Sequence, residues 1–118
     1  MGKPEIKSEI LNDFTMLINP GKVLDNDNAY ELVDIITGAQ ERGFKYILLD
    51  MSETEFISSA GVGSILGTIE TSRENGGDII ICNASDNIIH ILDVLDLTDY
   101  LTVKDTTENA LILCSTGK

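Results

Sequence analysis

The sequence predicts a single α/β domain, built on a mixed β-sheet with an antiparallel hairpin at its N-terminal end and about four helices packed on it. Two continuous apolar runs, Tyr46–Asp50 and Asp78–Cys82, are typical of strands that are buried on both faces. Stretches with helical spacing of apolar residues follow both runs, which favours parallel strands joined by right-handed crossovers. The 118 residues suffice for one hydrophobic core but not for two, so we expect one domain over residues 1–118.

The N-terminal segment has the pattern of a hairpin. Residues 5–10 are mostly polar with spaced isoleucines, and residues 14–18 are rich in apolar, β-prone side chains. An Asn-Asp pair lies between them, as expected for a turn. We therefore predict two antiparallel strands, the second of which is closed by the Pro-Gly pair at 20–21.

Capping residues and glycines delimit the first two helices. The first is predicted to follow the cap candidates at 25–28 and to end at Gly43, and the second to run from the serine pair at 58–59 to the double glycine at 76–77. The apolar residues of the second helix have the spacing i, i+3, i+4 and i+7 and form one stripe. They are Val62, Ile65, Leu66 and Ile69.

The last third of the chain predicts two more helices and a short strand. Residues 85–87 can cap a helix whose buried side carries Ile88, Leu92 and Leu95. Ile89 and Val94 fall off that side and are candidates for a partner surface. A final strand is expected at residues 101–103, and the spacing at residues 105–108 is that of a capping box before a terminal helix.

Composition excludes several classes of function. Eight Lys+Arg against twenty Asp+Glu give a formal net charge of -12, which repels nucleic acid and anionic membrane surfaces and attracts a partner with a basic face. Neither a membrane-spanning run nor the apolar region of a signal peptide is recognisable. We therefore expect a cytoplasmic protein that binds neither nucleic acid nor membrane.

Residues that could support catalysis or metal binding are few and scattered. Cys82 and Cys114 lack the spacing of metal ligands and are expected to be reduced and buried. His90 is expected on a helix surface, and no serine lies in the Gly-x-Ser-x-Gly pattern of a hydrolase nucleophile. We expect no cofactor, no metal and no enzymatic activity.

The segment 56–67 is the strongest candidate for a functional site, because it joins a strand to a helix through two neighbouring hydroxyls. Ser58 or Ser59 can serve as the N-cap of the helix, and taken alone the pattern favours that structural role. Gly61 and Gly63 remove side chains near the hydroxyls, which would let another protein's backbone approach. The glycines also suggest a phosphate-binding loop, but the segment has no lysine and its spacing is not the dinucleotide fingerprint.

Asp50 suggests a different class of function. An aspartate at the carboxyl end of a buried strand resembles the phosphoacceptor of a response-regulator receiver domain. Such a site needs a pair of acids to hold Mg²⁺ and a lysine after a later strand. The hairpin supplies no acid pair, and Lys104 alone is weak support, so a role as a strand-end loop residue is favoured.

Four pieces of the chain, in order and spacing, resemble the STAS domain, specifically the bacterial anti-sigma factor antagonist type. They are the strand at 47–52, the turn at 56–63, the glycine break before the strand at 79–81, and the closing segment 105–111. Together they cover most of residues 45–111.

The resemblance implies a switch without enzymatic activity. The unphosphorylated domain would bind an anti-sigma factor that is also a serine kinase, phosphorylation of a turn serine would break the complex, and a serine phosphatase would restore it. The position in the motif implies Ser59 as the modified residue, with Ser58 as the alternative; many members have an aspartate where this chain has Ser58. The predicted partner surface comprises Asp25, Ser58, Ser59, Ala60, Gly61, Val62, Gly63 and Ile89. We expect a monomer or weak dimer, and a scaffold subunit of a larger stress-signalling assembly is the alternative role.

Overall fold

The computed structural model describes residues 6–116. Its elements are β1 (Lys7–Asn12), β2 (Thr15–Asn19), β3 (Val23–Leu24), α1 (Ala29–Glu41), β4 (Tyr46–Asp50), β5 (Phe56–Ile57), α2 (Ser59–Glu74), β6 (Asp78–Cys82), α3 (Asp86–Val94), β7 (Thr102–Lys104) and α4 (Thr107–Thr116). None of the helices within this range combines the length and the apolar composition needed to span a membrane.

Five strands form the main sheet in the order β1-β2-β4-β6-β7. β1 pairs with β2 in antiparallel orientation, and β2, β4, β6 and β7 run parallel to one another. The predicted mixed sheet with an N-terminal hairpin is therefore confirmed. Glu5, the first residue of the predicted hairpin strand, lies outside the described residues.

The two faces of the sheet bury different helices. Successive side chains of β4 alternate between faces, so Ile47 and Leu49 lie in one core cluster and Leu48 lies in the other. The first cluster includes buried residues of α1, α2 and α3, and the second includes Ala110 and Cys114 of α4. The three crossover helices thus share one face, and α4 covers the opposite face.

A second, two-stranded parallel sheet was not predicted. It pairs β3 with β5 in the register Val23 with Phe56 and Leu24 with Ile57. Each strand has only two residues, too few for an alternating pattern to be recognised in the sequence. This small ribbon helps to position the start of α2, because β5 leads directly into that helix.

The end of α3 differs from the prediction. Leu95 was expected on the buried side, but it is the C-cap residue and is 48% exposed. The chain reverses at Asp96, which has a φ of 60°, and the N–H of Leu97 donates to the Leu92 carbonyl. Leu97 therefore packs against the core in the place expected for Leu95.

The remaining boundaries differ by one or two residues. The first hairpin strand, predicted at residues 5–10, is Lys7–Asn12. β7 begins at Thr102, one residue later than expected. At the start of α4 the hydroxyl of Thr106, and not the carboxylate of Asp105, accepts from the N–H of Asn109. Such shifts at element ends are small, and they leave the predicted order of helices and main-sheet strands intact.

Candidate functional site

The two serines of the turn have different roles. Ser58 has an extended backbone, and its Oγ accepts a hydrogen bond of 3.2 Å from the N–H of Gly61, which makes it the N-cap of α2. Ser59 is the first residue of the helix and is exposed. One hydroxyl therefore holds the helix start, and the other faces outward.

The β3–β5 ribbon fixes the position of this turn. The N–H of Ser58 donates to the Leu24 carbonyl over 2.9 Å, continuing the ladder beyond Ile57. Further back, the buried hydroxyl of Thr54 donates to the Gly21 carbonyl over 2.7 Å. The segment that precedes α1 thus anchors the connection that precedes α2.

The two glycines of the turn have opposite surroundings. A Cβ on Gly61 would come within 2.7 Å of the Leu24 carbonyl oxygen and 2.8 Å of Cγ1 of Ile57. Gly61 therefore permits close packing against the ribbon inside the domain, and the expectation that it leaves room for a partner is wrong. Gly63 is exposed, and a Cβ there would meet nothing within 4 Å.

Asp25 lies beside the turn because of the ribbon. It directly follows Leu24 as Ser58 directly follows Ile57, and these two strand residues are paired. The side chain of Asn28 locks this loop, accepting from the N–H of Asp25 over 2.9 Å and donating to the Val23 carbonyl over 2.8 Å. Asp25 is half-buried, and its Oδ1 accepts from the N–H of Asp27.

An apolar groove of about 290 Å³ separates the start of α2 from α3, and we call it the α2/α3 groove. Its lining residues are Ile57, Ser58, Ser59, Val62, His90, Ile91, Val94 and Leu95. Val94 is 68% exposed, so an apolar side chain stands open on the rim. Of the two residues predicted off the buried side of α3, Val94 lines this groove, whereas Ile89 is half-buried and is not among its lining residues.

A second groove, of about 490 Å³, lies on the other side of the α2 start and borders α1. It is lined by Asn26, Ala29, Tyr30, Val33, Ala60, Gly63 and Ser64. Tyr30 is 83% exposed, and sequence reasoning did not single it out. Tyr30 could have been recognised from the sequence as an aromatic residue that lies off the apolar stripe of α1.

The start of α2 carries no charged side chain. α2 has no acidic residue in its first turn, and its first charged residue is Glu70. The positive end of a helix dipole stabilises an anion at such a terminus. His90, which is exposed on α3 as predicted, shares the α2/α3 groove with both serines.

Asp50 has a structural environment rather than that of a phosphoacceptor. Its Oδ1 accepts from Nδ2 of Asn83 over 2.9 Å and from the N–H of Ser52 over 3.1 Å. Nδ2 of Asn83 also donates to Oγ1 of Thr107 over 2.9 Å, which links three loops. Across residues 6–116, no group of three or more His, Cys, Asp or Glu side chains could hold a metal ion. The receiver-like interpretation gains no support from this geometry.

The cysteines are buried, free thiols. Burial raises the pKa of Cys82, an effect that a hydrogen bond with Thr107 partly opposes. Burial also raises the pKa of Cys114 to about 11, and Asp78 and Cys82 add to the rise. Both thiols therefore stay protonated at neutral pH, which makes them poor nucleophiles.

Comparisons with known proteins agree with this architecture. Over 91 residues the chain is 25% identical to the anti-sigma-B factor antagonist of Staphylococcus aureus strain NCTC 8325 / PS 47, an overlap of 77% of this chain and 84% of that protein. The fold matches an anti-sigma-factor antagonist (STAS) domain protein from Planctomyces limnophilus with a TM-score of 0.83 at 16% identity, covering 94% of this chain and 98% of that one.

The fold of this chain also matches that of the Bacillus cell fate determinant SpoIIAA in its phosphorylated form. The TM-score is 0.72 at 22% identity, and the match covers 92% of this chain and 97% of that one. The model of the family described as "STAS domain" matches residues 5–110 of the chain. This match spans the main sheet, the ribbon, the serine turn and most of the helical layer. The chain therefore belongs to the STAS domain family.

Proposed function

We propose that this protein is an anti-sigma factor antagonist whose binding is switched by phosphorylation of Ser59. In the unphosphorylated state it binds an anti-sigma factor that is also a serine kinase, and phosphorylation releases that partner. The observation that carries the proposal is that the two serines of the turn differ in their contacts. The Ser58 hydroxyl is engaged as the N-cap of α2, whereas Ser59 is exposed and lines an apolar groove. The name of the similar Staphylococcus aureus protein, anti-sigma-B factor antagonist, supports the antagonist part of this proposal.

The partner surface of the proposal is centred on the start of α2. The α2/α3 groove offers apolar contacts through Val94 and Leu95, and Asp25 adds a carboxylate on the other side of the turn. The chain carries a net charge of -12, so a partner with a basic rim around an apolar segment is favoured. The proposed role is binding, and the kinase and phosphatase activities belong to the partners.

A phosphoryl group on Ser59 would have different effects on the domain and on the complex. It adds a charge of about −1.5 to −2 at neutral pH, which the N-terminus of α2 tolerates. In a packed interface the same charge must lose its water, and an uncompensated buried charge costs about 3–5 kcal/mol. Such a cost weakens binding by about a hundredfold or more. Removal of the phosphate by a serine phosphatase restores the binding surface.

Phosphorylation can be tested with the candidate anti-sigma kinases of the source organism and Mg²⁺-ATP, with the phosphate located by mass spectrometry. We expect modification at Ser59 in the wild type and in Ser58→Ala, and none in Ser59→Ala. Ser58→Ala loses the helix cap and is expected to be less stable by about 1 kcal/mol, so thermal unfolding of both variants provides the stability control. Phosphate confined to Ser58 would overturn the assignment.

Binding is the second readout. By calorimetry, Ser59→Ala is expected to bind the anti-sigma partner about as tightly as the wild type, and Ser59→Asp to bind it markedly less tightly. The switch proposal fails if Ser59→Asp retains the affinity of the wild type.

A further inference from the structure

The α2/α3 groove is lined by one residue that can form an ion pair with a phosphate. Five of its eight lining residues are apolar, two are the serines of the turn, and the eighth is His90. No lysine or arginine is among the residues that line this groove within the described part of the chain. His90 is therefore the one lining side chain that can become a cation.

We infer that His90 is the intramolecular partner of phosphorylated Ser59, and that it draws the phosphate into the α2/α3 groove. Ser59 starts α2 on one side of the groove, and His90 lies in the middle of α3 on the other. Both side chains are exposed, so neither must leave a packed position to meet the other. A phosphoserine offers three acceptor oxygens, and a protonated imidazole offers two N–H donors.

The other charges around the groove make His90 the specific choice. On α3, Asp86 precedes His90 by four residues and Asp93 follows it by three, and both are exposed. Glu55 lies near the start of α3, since its carbonyl accepts from Nδ2 of Asn87 over 3.2 Å. These acids repel a phosphate, and α2 contributes no charge before Glu70. Lys22 adjoins Glu55, whose N–H donates to its carbonyl, but it is not among the lining residues. Of the described residues that line the groove, His90 is therefore the one that can give a phosphate a cationic neighbour.

The inference rests on the proposed modification of Ser59 and adds a consequence to it. A phosphate held by His90 occupies the space between Val94 and the start of α2 in which an apolar partner segment would lie. Phosphorylation then closes the docking groove from within, in addition to placing charge at its edge. His90 is a positioning residue in this scheme and carries out no chemistry.

The test uses phosphoserine incorporated at position 59 during translation, which makes the measurement independent of any kinase. The full-length phosphoprotein is compared with the same phosphoprotein carrying His90→Gln, which cannot be cationic, and His90→Lys, which always is. ³¹P NMR follows the second ionisation of the phosphate. A neighbouring cation favours the dianion, so the titration midpoint is expected about half a pH unit lower in the wild type than in His90→Gln. His90→Lys should restore the lower midpoint.

Two-dimensional NMR supplies a second readout. The ring protons of His90 are expected to shift between the unphosphorylated and the phosphorylated protein, together with the methyl groups of Val94. An unchanged ring with shifts confined to the amides at the start of α2 would mean that the helix N-terminus alone holds the phosphate, and would overturn the inference. Equal ³¹P midpoints in all three phosphoproteins would do the same. Failure of every kinase to modify Ser59 would instead contradict the proposed function, since this comparison does not use one.

Discussion

Gly61 lies directly against Leu24: a Cβ on the glycine would come within 2.7 Å of the leucine carbonyl oxygen. That carbonyl is also the acceptor for the N–H of Ser58, so the same main-chain atom holds the turn and excludes a side chain beside it. Backbone cannot move aside as a flexible side chain can. Gly61→Ala is therefore expected to lower the free energy of unfolding by about 1–3 kcal/mol, as measured by urea denaturation.

Gly63 provides the matched control, two residues later in the same helix. It is exposed, and a Cβ there would meet nothing within 4 Å. Because alanine favours a helix over glycine, Gly63→Ala is expected to raise the free energy of unfolding by about 0.5–1 kcal/mol. Equal stability of the two alanine variants would contradict the packing of α2 on the β3–β5 ribbon.

Asp96 and Asn83 both have a φ of 60°, a conformation that glycine adopts without strain. Asp96 is exposed and ends α3, so Asp96→Gly is expected to stabilise the protein by about 0.5–1 kcal/mol. Asn83→Gly relieves the same strain but removes the hydrogen bonds to Asp50 and Thr107, and we expect a net loss of stability. Chemical denaturation of the pair checks both signs, and the same sign for both would refute the argument.

Val94 and Ile112 are exposed apolar residues on opposite faces of the sheet, 68% and 59% exposed respectively. Val94→Ser is expected to weaken binding of the proposed anti-sigma partner about tenfold, because burial of a valine contributes about 1.5 kcal/mol. Ile112→Ser on α4 should leave that affinity unchanged. Titration calorimetry distinguishes the two, and a larger loss for Ile112→Ser would place the interface on the other face.

The Cys114 thiol should make stability depend on alkaline pH. Its pKa is raised, chiefly by burial, from 9.0 to about 11, so the folded protein keeps a proton that the unfolded chain has lost. The stabilising contribution is therefore complete below pH 9.0 and is lost as the pH rises towards about 11. The fall in the free energy of unfolding over this range is expected to be shallower in Cys114→Ala.

Other groups titrate in the same range and are shared by both proteins. A hydrogen bond to Glu70 raises the pKa of Tyr100, and burial raises the pKa of Cys82. The difference between wild type and Cys114→Ala cancels their effects. Identical pH profiles would show that the Cys114 thiol ionises equally well in the folded and unfolded states.

Burial on both faces is what made the central strands predictable. The observed strands β4 and β6 have the predicted limits, Tyr46–Asp50 and Asp78–Cys82. A short, continuous apolar run that is bounded by Gly or Asp is typical of a buried strand, and the bounding residues mark its ends. The antiparallel hairpin followed from local turn chemistry in the same way. These features depend on residues that are close together in the chain.

The features that were missed depend on contacts between distant residues. The pairing of Leu24 with Ile57 leaves no periodic signal in two-residue strands, and the surroundings of Gly61 follow from that pairing. The serine pair could cap α2 through either hydroxyl, and the geometry selects Ser58 as the cap. Leu95 was misplaced because the spacing of apolar residues does not reveal where a helix stops.

The order β2-β4-β6-β7 means that each parallel strand joins the sheet beside the one made before it. A chain that leaves the ribosome from its N-terminus can therefore extend the sheet one strand at a time. The serine turn and its ribbon need only residues up to Gly61, whereas the second wall of the groove comes from α3. During synthesis the serine turn can therefore form before α3, so the α2/α3 groove is completed only after both serines are in place.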